Sequence, residues 1–547
     1  MIKGVPNILM EFGIKGKVYR SNGSIPCLSV VLHYLLKGLP VKFITQNTLE
    51  ILELLEHNND ISFDQHLNYR LLGIKLSESQ LPVDSAYSVI NKVLQVVSKY
   101  DGLNEYLMVI DAYLEIILQF GMDNSLFVVL DCILKRAKDG SLTDNEMDNL
   151  LSILIKLIHH LRTLEDIFTL DHFLPVLDLL DGYQRNIVNK YILSKVTRDA
   201  SIRDPRMIQF LFEVSRVLHD SIDISSFKDD HQQTTGLICH FVRMVDFGDE
   251  MEHHLEFLIE CRAAFRNLDH LKESFIHSSN FMATKAIKGV NKFQGFIKAC
   301  IAFNEVTIPS ISATSSRLNL YLETAEVALS GGLVSHAYGL LDSVITCLGS
   351  TDVNIGLPVP LDADWLLSSI LKLCGILIVV PCCSSDYGGH IVRKILSIAE
   401  SQSWVTPVMK VKILCAIVSL SATLLQKELP YQVNARENMG NNLLFFEEKS
   451  YYQALESASN IALCNLLDCM EKQLYTAEWG KMALDVCNCL VISLKASPEL
   501  LSICARMIKI ATSCLHPQEK YLQATTNLLK KCMPDSLKEP FTVIACE

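Results

Sequence analysis

Eighteen cysteines, sixteen histidines and 61 carboxylate side chains are the groups of this 547-residue chain that could hold a metal, carry a nucleophile or move a proton. A zinc site needs thiols or imidazoles in pairs at a spacing that lets both reach one ion, most often with two residues between them. Cys382 and Cys383 are adjacent, Cys487 and Cys489 are one residue apart and Cys464 and Cys469 are four apart, so none repeats that spacing. The other cysteines are scattered through apolar stretches such as those around Cys415 and Cys504, where a reduced thiol packs as a small apolar side chain. The doublets His159-His160 and His253-His254 point about 100° apart on a helix and do not converge on one ion, which suits solvated or interhelical polar roles. The acidic group Asp246, Asp249, Glu250 and Glu252 could face a divalent cation, but it stands where a helix begins and the helix dipole favours carboxylates.

Phosphate-cradling glycine loops, a dinucleotide fingerprint, a serine elbow and a His-Glu-His zinc helix are all missing from the sequence. No catalytic, cofactor-binding or metal-binding residue is therefore assigned, and a non-enzymatic protein is expected. The balance of 49 basic against 61 acidic residues gives a formal charge of −12, which argues against nucleic acid as a partner and against direct binding to an anionic membrane. The N-terminus passes Lys15 and Lys17 without the apolar core of a secretory signal, and the longest apolar run, Leu373–Val380, falls short of the roughly 20 residues of a membrane span. A soluble, intracellular chain with reduced thiols is the expectation.

Low Gly, Pro and Trp contents (24, 16 and 3) with abundant aliphatic side chains point to an all-α fold. Thr143 and Glu146 have capping-box spacing, and Met147, Leu150, Leu151, Leu154, Ile158 and Leu161 follow on one face. Asp84 is placed as the N-cap of a helix striped by Val89, Ile90, Val93, Leu94 and Val97, with Gly102 as its left-handed C-terminal residue. Similar segments recur near Phe43–His57, Tyr106–Phe120, Pro205–His219, His253–Phe265, Ser316–Leu329, Val334–Cys347, Trp365–Val379, Val408–Gln426, Tyr451–Met470, Lys481–Leu494 and Glu519–Lys531. One amphipathic helix every ~20 residues suits an α-solenoid of stacked, HEAT-like helical hairpins. Polar connections are expected at Asp220–Thr235, Gly349–Asp364, Ser384–Gly389 and Pro430–Asn442.

Between Ala325 and Cys383 the only charged residues are Glu326, Asp342, Asp352, Asp362, Asp364 and Lys372. Either a partner covers this stretch or the core is locally thicker. Trp365 and Leu366 are the residues expected to face the partner.

Several blocks carry a family resemblance. FIKACIAFNEVTIPS at Phe296–Ser310 and RLNLYL at Arg317–Leu322 are preceded, in order, by DQHLNYRLLG at Asp64–Gly73, DHFLPVLDLL at Asp171–Leu180, RVLHDSID at Arg216–Asp223 and FVRMVDFGDEMEHHLEFLIECRAAFRNL at Phe241–Leu268. Together they resemble the vacuolar protein sorting-associated protein 35-like family, scaffold subunits of the retriever (Commander) assembly and relatives of the large retromer subunit. The resemblance implies an α-solenoid acting in endosome-to-plasma-membrane recycling, cytoplasmic and peripheral on endosomes, touching membrane only indirectly. Residues 1–295 would be the middle of the solenoid and 296–547 its C-terminal part, gripping a small sorting subunit of metallophosphoesterase fold. Coiled-coil and COMM-domain proteins are further implied partners. An arrestin-like subunit is doubtful, because the N-terminal part that carries the family's Pro-Arg-Leu-Tyr type motif is expected to be missing; Pro205-Arg206 is a false echo, followed by Met207 and Ile208. Pro309 is expected to break the helix, Arg317 to donate an interhelical or C-terminal hydrogen bond, and Tyr321 to pack its ring with the hydroxyl at the edge. The competing reading, a solenoid carrier of the nuclear-transport class, is disfavoured by the small number of Trp, at 365, 404 and 479.

Overall fold

The structure, a computed structural model, describes residues 28–57, 63–79, 81–137, 142–196, 201–222, 228–289, 293–350, 363–380, 387–402, 404–425, 449–472, 476–495 and 497–532. Backbone packing divides it into two units, Met1–Asp249 and Glu250–Glu547. The division expected at 295/296 falls inside a helical hairpin of the second unit.

In the first unit the helices are α1 (Leu28–Gly38), α2 (Val41–Gln46), α3 (Thr48–Glu56), α4 (Gln65–Ser77), α5 (Val83–Val97), α6 (Leu103–Gln119), α7 (Asp123–Ala137) and α8 (Asp144–His160). After a 3-10 turn at Leu164–Thr169 come α9 (Phe173–Leu177), α10 (Gly182–Val196), α11 (Pro205–Ile222) and α12 (Lys228–Met244). Each of α4, α6, α8, α10 and α12 packs on the next in that series, forming one layer; α3 with α5 and α7 with α9 pack as parts of an opposing layer. Helix α6 touches α4, α5, α7 and α8, which is why its sequence is apolar nearly all round and Tyr106, Ile110, Tyr113 and Ile117 are buried. An isolated parallel bridge pairs Ile202 with Val245, and Arg203 clamps Asp246 through Nε (3.1 Å) and Nη2 (2.7 Å) beside it.

The second unit repeats the plan with α13 (Met251–Ala264), α14 (Asp269–Lys288), α15 (Gln294–Thr307), a 3-10 turn at Ile308–Ser310, α16 (Thr314–Ser330), α17 (Val334–Gly349) and α18 (Ala363–Val379). It continues with α19 (Tyr387–Ser401), α20 (Pro407–Leu424), α21 (Lys449–Glu471), α22 (Ala477–Ser493), α23 (Pro498–Cys514) and α24 (Lys520–Cys532). Here α14, α16, α18, α20, α22 and α24 pack in sequence as one layer, and α17, α19 and α21 as part of the other. The tightest pairs are the hairpins α14–α15, α16–α17, α20–α21 and α22–α23. This i to i+2 stacking is the arrangement expected of helical-hairpin repeats.

Local chemistry explains the boundaries. Glu146 accepts from the Thr143 backbone N–H at 2.8 Å, completing the capping box. Thr406, Thr476 and Ser497 cap α20, α22 and α23 by accepting from the N–H three residues on. The α16–α17 hairpin turns through Gly332 (φ 76°): Leu333 N–H bonds Ala328 O at 2.8 Å and Gly332 N–H bonds Leu329 O at 2.9 Å. That pair of bonds is a Schellman motif, which requires a left-handed residue.

Four expectations are corrected. The segment Phe43–His57 is two helices that meet at Asn47, whose backbone (φ −117°, ψ 20°) leaves the helical region while its side-chain Nδ2 donates to Phe43 O at 2.8 Å. Pro82, not Asp84, precedes α5; Asp84 lies in the first turn, where its charge still suits the dipole. Gly102 has φ −79° and ψ 131° and leads into α6 instead of ending α5. Of the polar stretch Asp220–Thr235, 220–222 end α11 and 228–235 open α12, and 223–227 lie outside the described residues. Most of the connections expected at 349–364, 384–389 and 430–442, and the Cys382-Cys383 pair, lie outside the described residues.

Among the described residues one helix, Pro407–Leu424, is long and apolar enough to cross a membrane by length and composition, yet 56% of it is buried inside the protein. Its contacts with α18, α19, α21 and α22 explain that composition as a core helix.

Candidate partner-binding surface

The polar groups singled out in the sequence are spread over separate surroundings. His159 and His160 are both exposed, and His159 sets its ring edge against Tyr191 at 5.4 Å. His253 Nδ1 lies 2.9 Å from Glu250 Oε2, and this carboxylate raises the imidazole's pKa, whereas His254 points to Ser278 at 3.5 Å. Asp246 accepts from Gly248 N–H at 2.8 Å as well as from Arg203. No group of three or more His, Cys, Asp or Glu among the described residues is placed to hold a metal ion. Cavities of about 620 Å³ (Phe281, Lys288 and Phe293 in its wall) and about 490 Å³ (Asp123, His160, Arg162 and Asp166) are present, one in each unit.

Asn304, in the block Phe296–Ser310 quoted above, joins a polar clasp inside the second unit. Asn304 Nδ2 donates to Asn280 Oδ1 at 2.7 Å, and Asn280 Nδ2 donates to Glu323 Oε1 at 3.0 Å and to Thr324 Oγ1 at 3.2 Å. Asn280, Asn304 and Thr324 are buried, so three helices, α14, α15 and α16, are held in register by amides that have no water to turn to. Pro309 is the middle residue of the 3-10 turn, and Lys272 Nζ donates to Ser310 O at 2.8 Å. Arg317 donates to Thr314 Oγ1 at 3.1 Å in its own first turn, so the expected interhelical or C-terminal bond is not the one formed. Tyr321 is buried; burial pushes its hydroxyl pKa up, assisted by Cys347 and opposed by Arg317.

The low-charge stretch gives a surface. On α18, Leu366, Leu367, Ile370, Leu373, Cys374 and Leu377 turn inward, while Ser368, Leu371, Gly375, Ile378 and Val379 are exposed. Trp365 is half-buried, but Leu366 is 1% exposed and belongs to the chain's own core, which removes it from any partner contact in this fold. The few charges nearby are neutralised: Lys372 pairs with Glu326 at 3.2 Å and Asp342 with Lys394 at 2.7 Å. What remains on α18 is an uncharged apolar stripe ending in Val379, which is 74% exposed. Two helices along the same layer, α22 exposes Ile492 to the same extent, 74%. Trp404 and Trp479 are buried, so two of the three Trp are core side chains.

Helices stacked i to i+2 in layers, with hairpin neighbours in tight contact, define a helical-repeat protein. More particularly, the chain belongs to the VPS35L C-terminal domain family, whose model matches residues 19–547. It is 25% identical over 515 residues to the "VPS35 endosomal protein sorting factor-like" protein of Dictyostelium discoideum, covering 91% of this chain and 52% of that one. Against the Homo sapiens "VPS35 endosomal protein-sorting factor-like" protein it is 25% identical over 425 residues, covering 74% and 43%. The chain thus spans about half the length of the curated relatives it matches. Among solved structures, a circular tandem repeat protein aligns over 92% of this chain and 95% of its own at 11% identity, with a TM-score of 0.15 that carries no argument.

Proposed function

We propose that this protein is a non-enzymatic scaffold for endosomal protein sorting, the retriever-like part of an assembly that returns cargo to the plasma membrane from the cytoplasmic face of endosomes. The observation that carries the proposal is the family match along 19–547, whose curated relatives are named as endosomal sorting factors. The exposed stripe of α18 supports it, since a repeat protein gains binding energy by burying apolar surface and each fully covered aliphatic side chain adds about 1.5–3 kcal/mol. In this reading α18 grips the small metallophosphoesterase-fold subunit, and COMM-domain and coiled-coil proteins dock elsewhere on the scaffold.

Gly375 offers a clean test, because a Cβ added there meets nothing within 4 Å. The double variant Gly375→Glu, Val379→Glu keeps the inward face of α18 intact, and is expected to fold while losing at least tenfold in capture of the small subunit, about 1.4 kcal/mol or more. Undiminished capture by the folded variant removes α18 from the interface. Affinity purification of the unmodified chain from cells tests the wider reading: recovery of a pore-transport GTPase without either class of sorting partner would replace it with the nuclear-carrier one.

A further inference from the structure

Helix α22 carries Cys487 and Cys489, and positions two apart on an α-helix point about 200° from each other. They consequently meet different helices. Cys487 is hydrogen-bonded to Cys504 of α23, and both are fully buried. Cys489 turns to α20, where its Sγ lies 3.5 Å from Cys415 O and 3.2 Å from Ser419 Oγ, and Ser419 Oγ is 2.9 Å from Ser493 Oγ. Cys489 Sγ is turned to the Cys415 turn of α20, and both residues are partly exposed. Helix α22 thus sets one cysteine against a closed partner and one against a partly exposed partner.

The geometry points to a modification site: Cys415 and Cys489 form a reversible intramolecular disulfide, with a hydroperoxide as the oxidant. The Cys489 thiolate is the group prepared to react. The Cys415 thiol donating to it, and then the Ser419 and Ser493 hydroxyls, lower its pKa against the opposing effect of burial. Cys415 is raised by the same hydrogen bond, by burial and by the nearby Asp485 carboxylate, to which the Tyr521 hydroxyl donates. One partner is held as the nucleophile and the other as the thiol that resolves it.

In the first step the Cys489 sulfur attacks a peroxide oxygen, the O–O bond breaks and the other oxygen leaves as water after taking a proton, producing a sulfenic acid. In the second, the Cys415 sulfur attacks the Cys489 sulfur, the S–O bond breaks and hydroxide departs with the Cys415 proton as water. Two thiols and one hydrogen peroxide become one disulfide and two waters, the sulfurs losing the two electrons that the peroxide gains. A disulfide requires Cα atoms within about 7 Å, and the 3.5 Å contact of Cys489 Sγ with Cys415 O brings the thiol to the backbone of its partner residue. The link would tie α20 to α22 within one layer.

Treatment of the reduced full chain with hydrogen peroxide, followed by peptide mass spectrometry, tests this. The expected result is a Cys415–Cys489 cross-link with loss of two hydrogens, reversed by a thiol reductant, while Cys487 and Cys504 stay reduced. In the Cys415→Ala variant, shown by melting to be folded, the cross-link is lost and a cyclic dicarbonyl trap labels Cys489 as sulfenic acid. The proposal fails if peroxide doses that oxidise the exposed Cys464 leave Cys415 and Cys489 unlinked, or if Cys489 of the variant escapes the trap.

Discussion

Asp269 shows how one side chain can fasten a turn. Its carboxylate accepts from Lys272 Nζ at 3.0 Å, from Ser312 N–H at 2.8 Å and from the Ser312 hydroxyl, so the loop that follows Pro309 is anchored to the start of α14. Burial pushes the Asp269 carboxyl pKa up, but the two Ser312 donors and the Lys272 ammonium outweigh it, and the net shift is downward. A folded-state pKa below the unfolded value of about 3.9 means the stabilisation is fully present above that pH and is lost as pH falls through the folded value. Asp269→Asn should therefore lower the urea midpoint at neutral pH, by a loss of about 1–3 kcal/mol, and the gap from wild type should close as pH is taken below about 4. A gap that stays constant with pH would mean the carboxylate's charge contributes nothing. Asn304 is the companion case without charge: Asn304→Ala deprives the buried Asn280 carbonyl of its donor and is expected to cost about 1–3 kcal/mol at every pH, read from the same denaturation series.

At the scale of the helix, close approach is set by glycine where the neighbour cannot yield. A Cβ on Gly73 of α4 would stand 2.7 Å from Tyr113 Cε2 and 2.9 Å from Ala112 Cβ on α6, and Tyr113 is fully buried. Gly73→Ala gains up to about 1 kcal/mol of helix propensity, yet overpacking of a filled core costs about 1–3 kcal/mol and wins. The expected outcome is a lower chemical midpoint, and unchanged stability would show that α4 and α6 can separate freely. Elements of this kind were legible wherever apolar spacing and a cap agreed: α8, α17 and α20 stand within two residues of the sequence reading. Helices α10 and α14 were not singled out, because their buried faces include Asn189, Lys272, Ser279 and Asn280, which a reading of apolar periodicity counts as surface. The same limit applies to the surface on α18. Its low charge was visible in the sequence, but which of its apolar residues point outward depends on the helices packed beside it, so Leu366 was placed outside and Val379 was not. The Cys415–Cys489 pair had no sequence signal at all, since 73 residues of chain separate its members and only the stacking of α20 on α22 brings them together.

Across the whole molecule, contacts run almost entirely between helices one or two places apart, and this decides how far a disturbance can travel. In such a stack, stability is close to a sum of the hairpins' own terms and the interfaces between neighbours, so each perturbation should fade within a repeat or two. Gly73→Ala lies at the α4–α6 interface, and Gly480→Ala would drive a Cβ to 2.8 Å from Cys514 Cβ and Leu515 Cγ at the α22–α23 interface. Hydrogen exchange followed peptide by peptide should therefore show faster opening of α4, α6 and their direct neighbours in the first variant, with α10 and α11 of the same unit unaffected. In the second variant, α20 and α22–α24 should open faster while α14–α16, fastened by the Asn280 clasp, keep their rates. Uniform acceleration along a unit would mean that its layers unfold as one cooperative block. A scaffold benefits from the local alternative, because a partner bound at one stretch of helices then stabilises that stretch and leaves the remaining surfaces free to bind on their own terms.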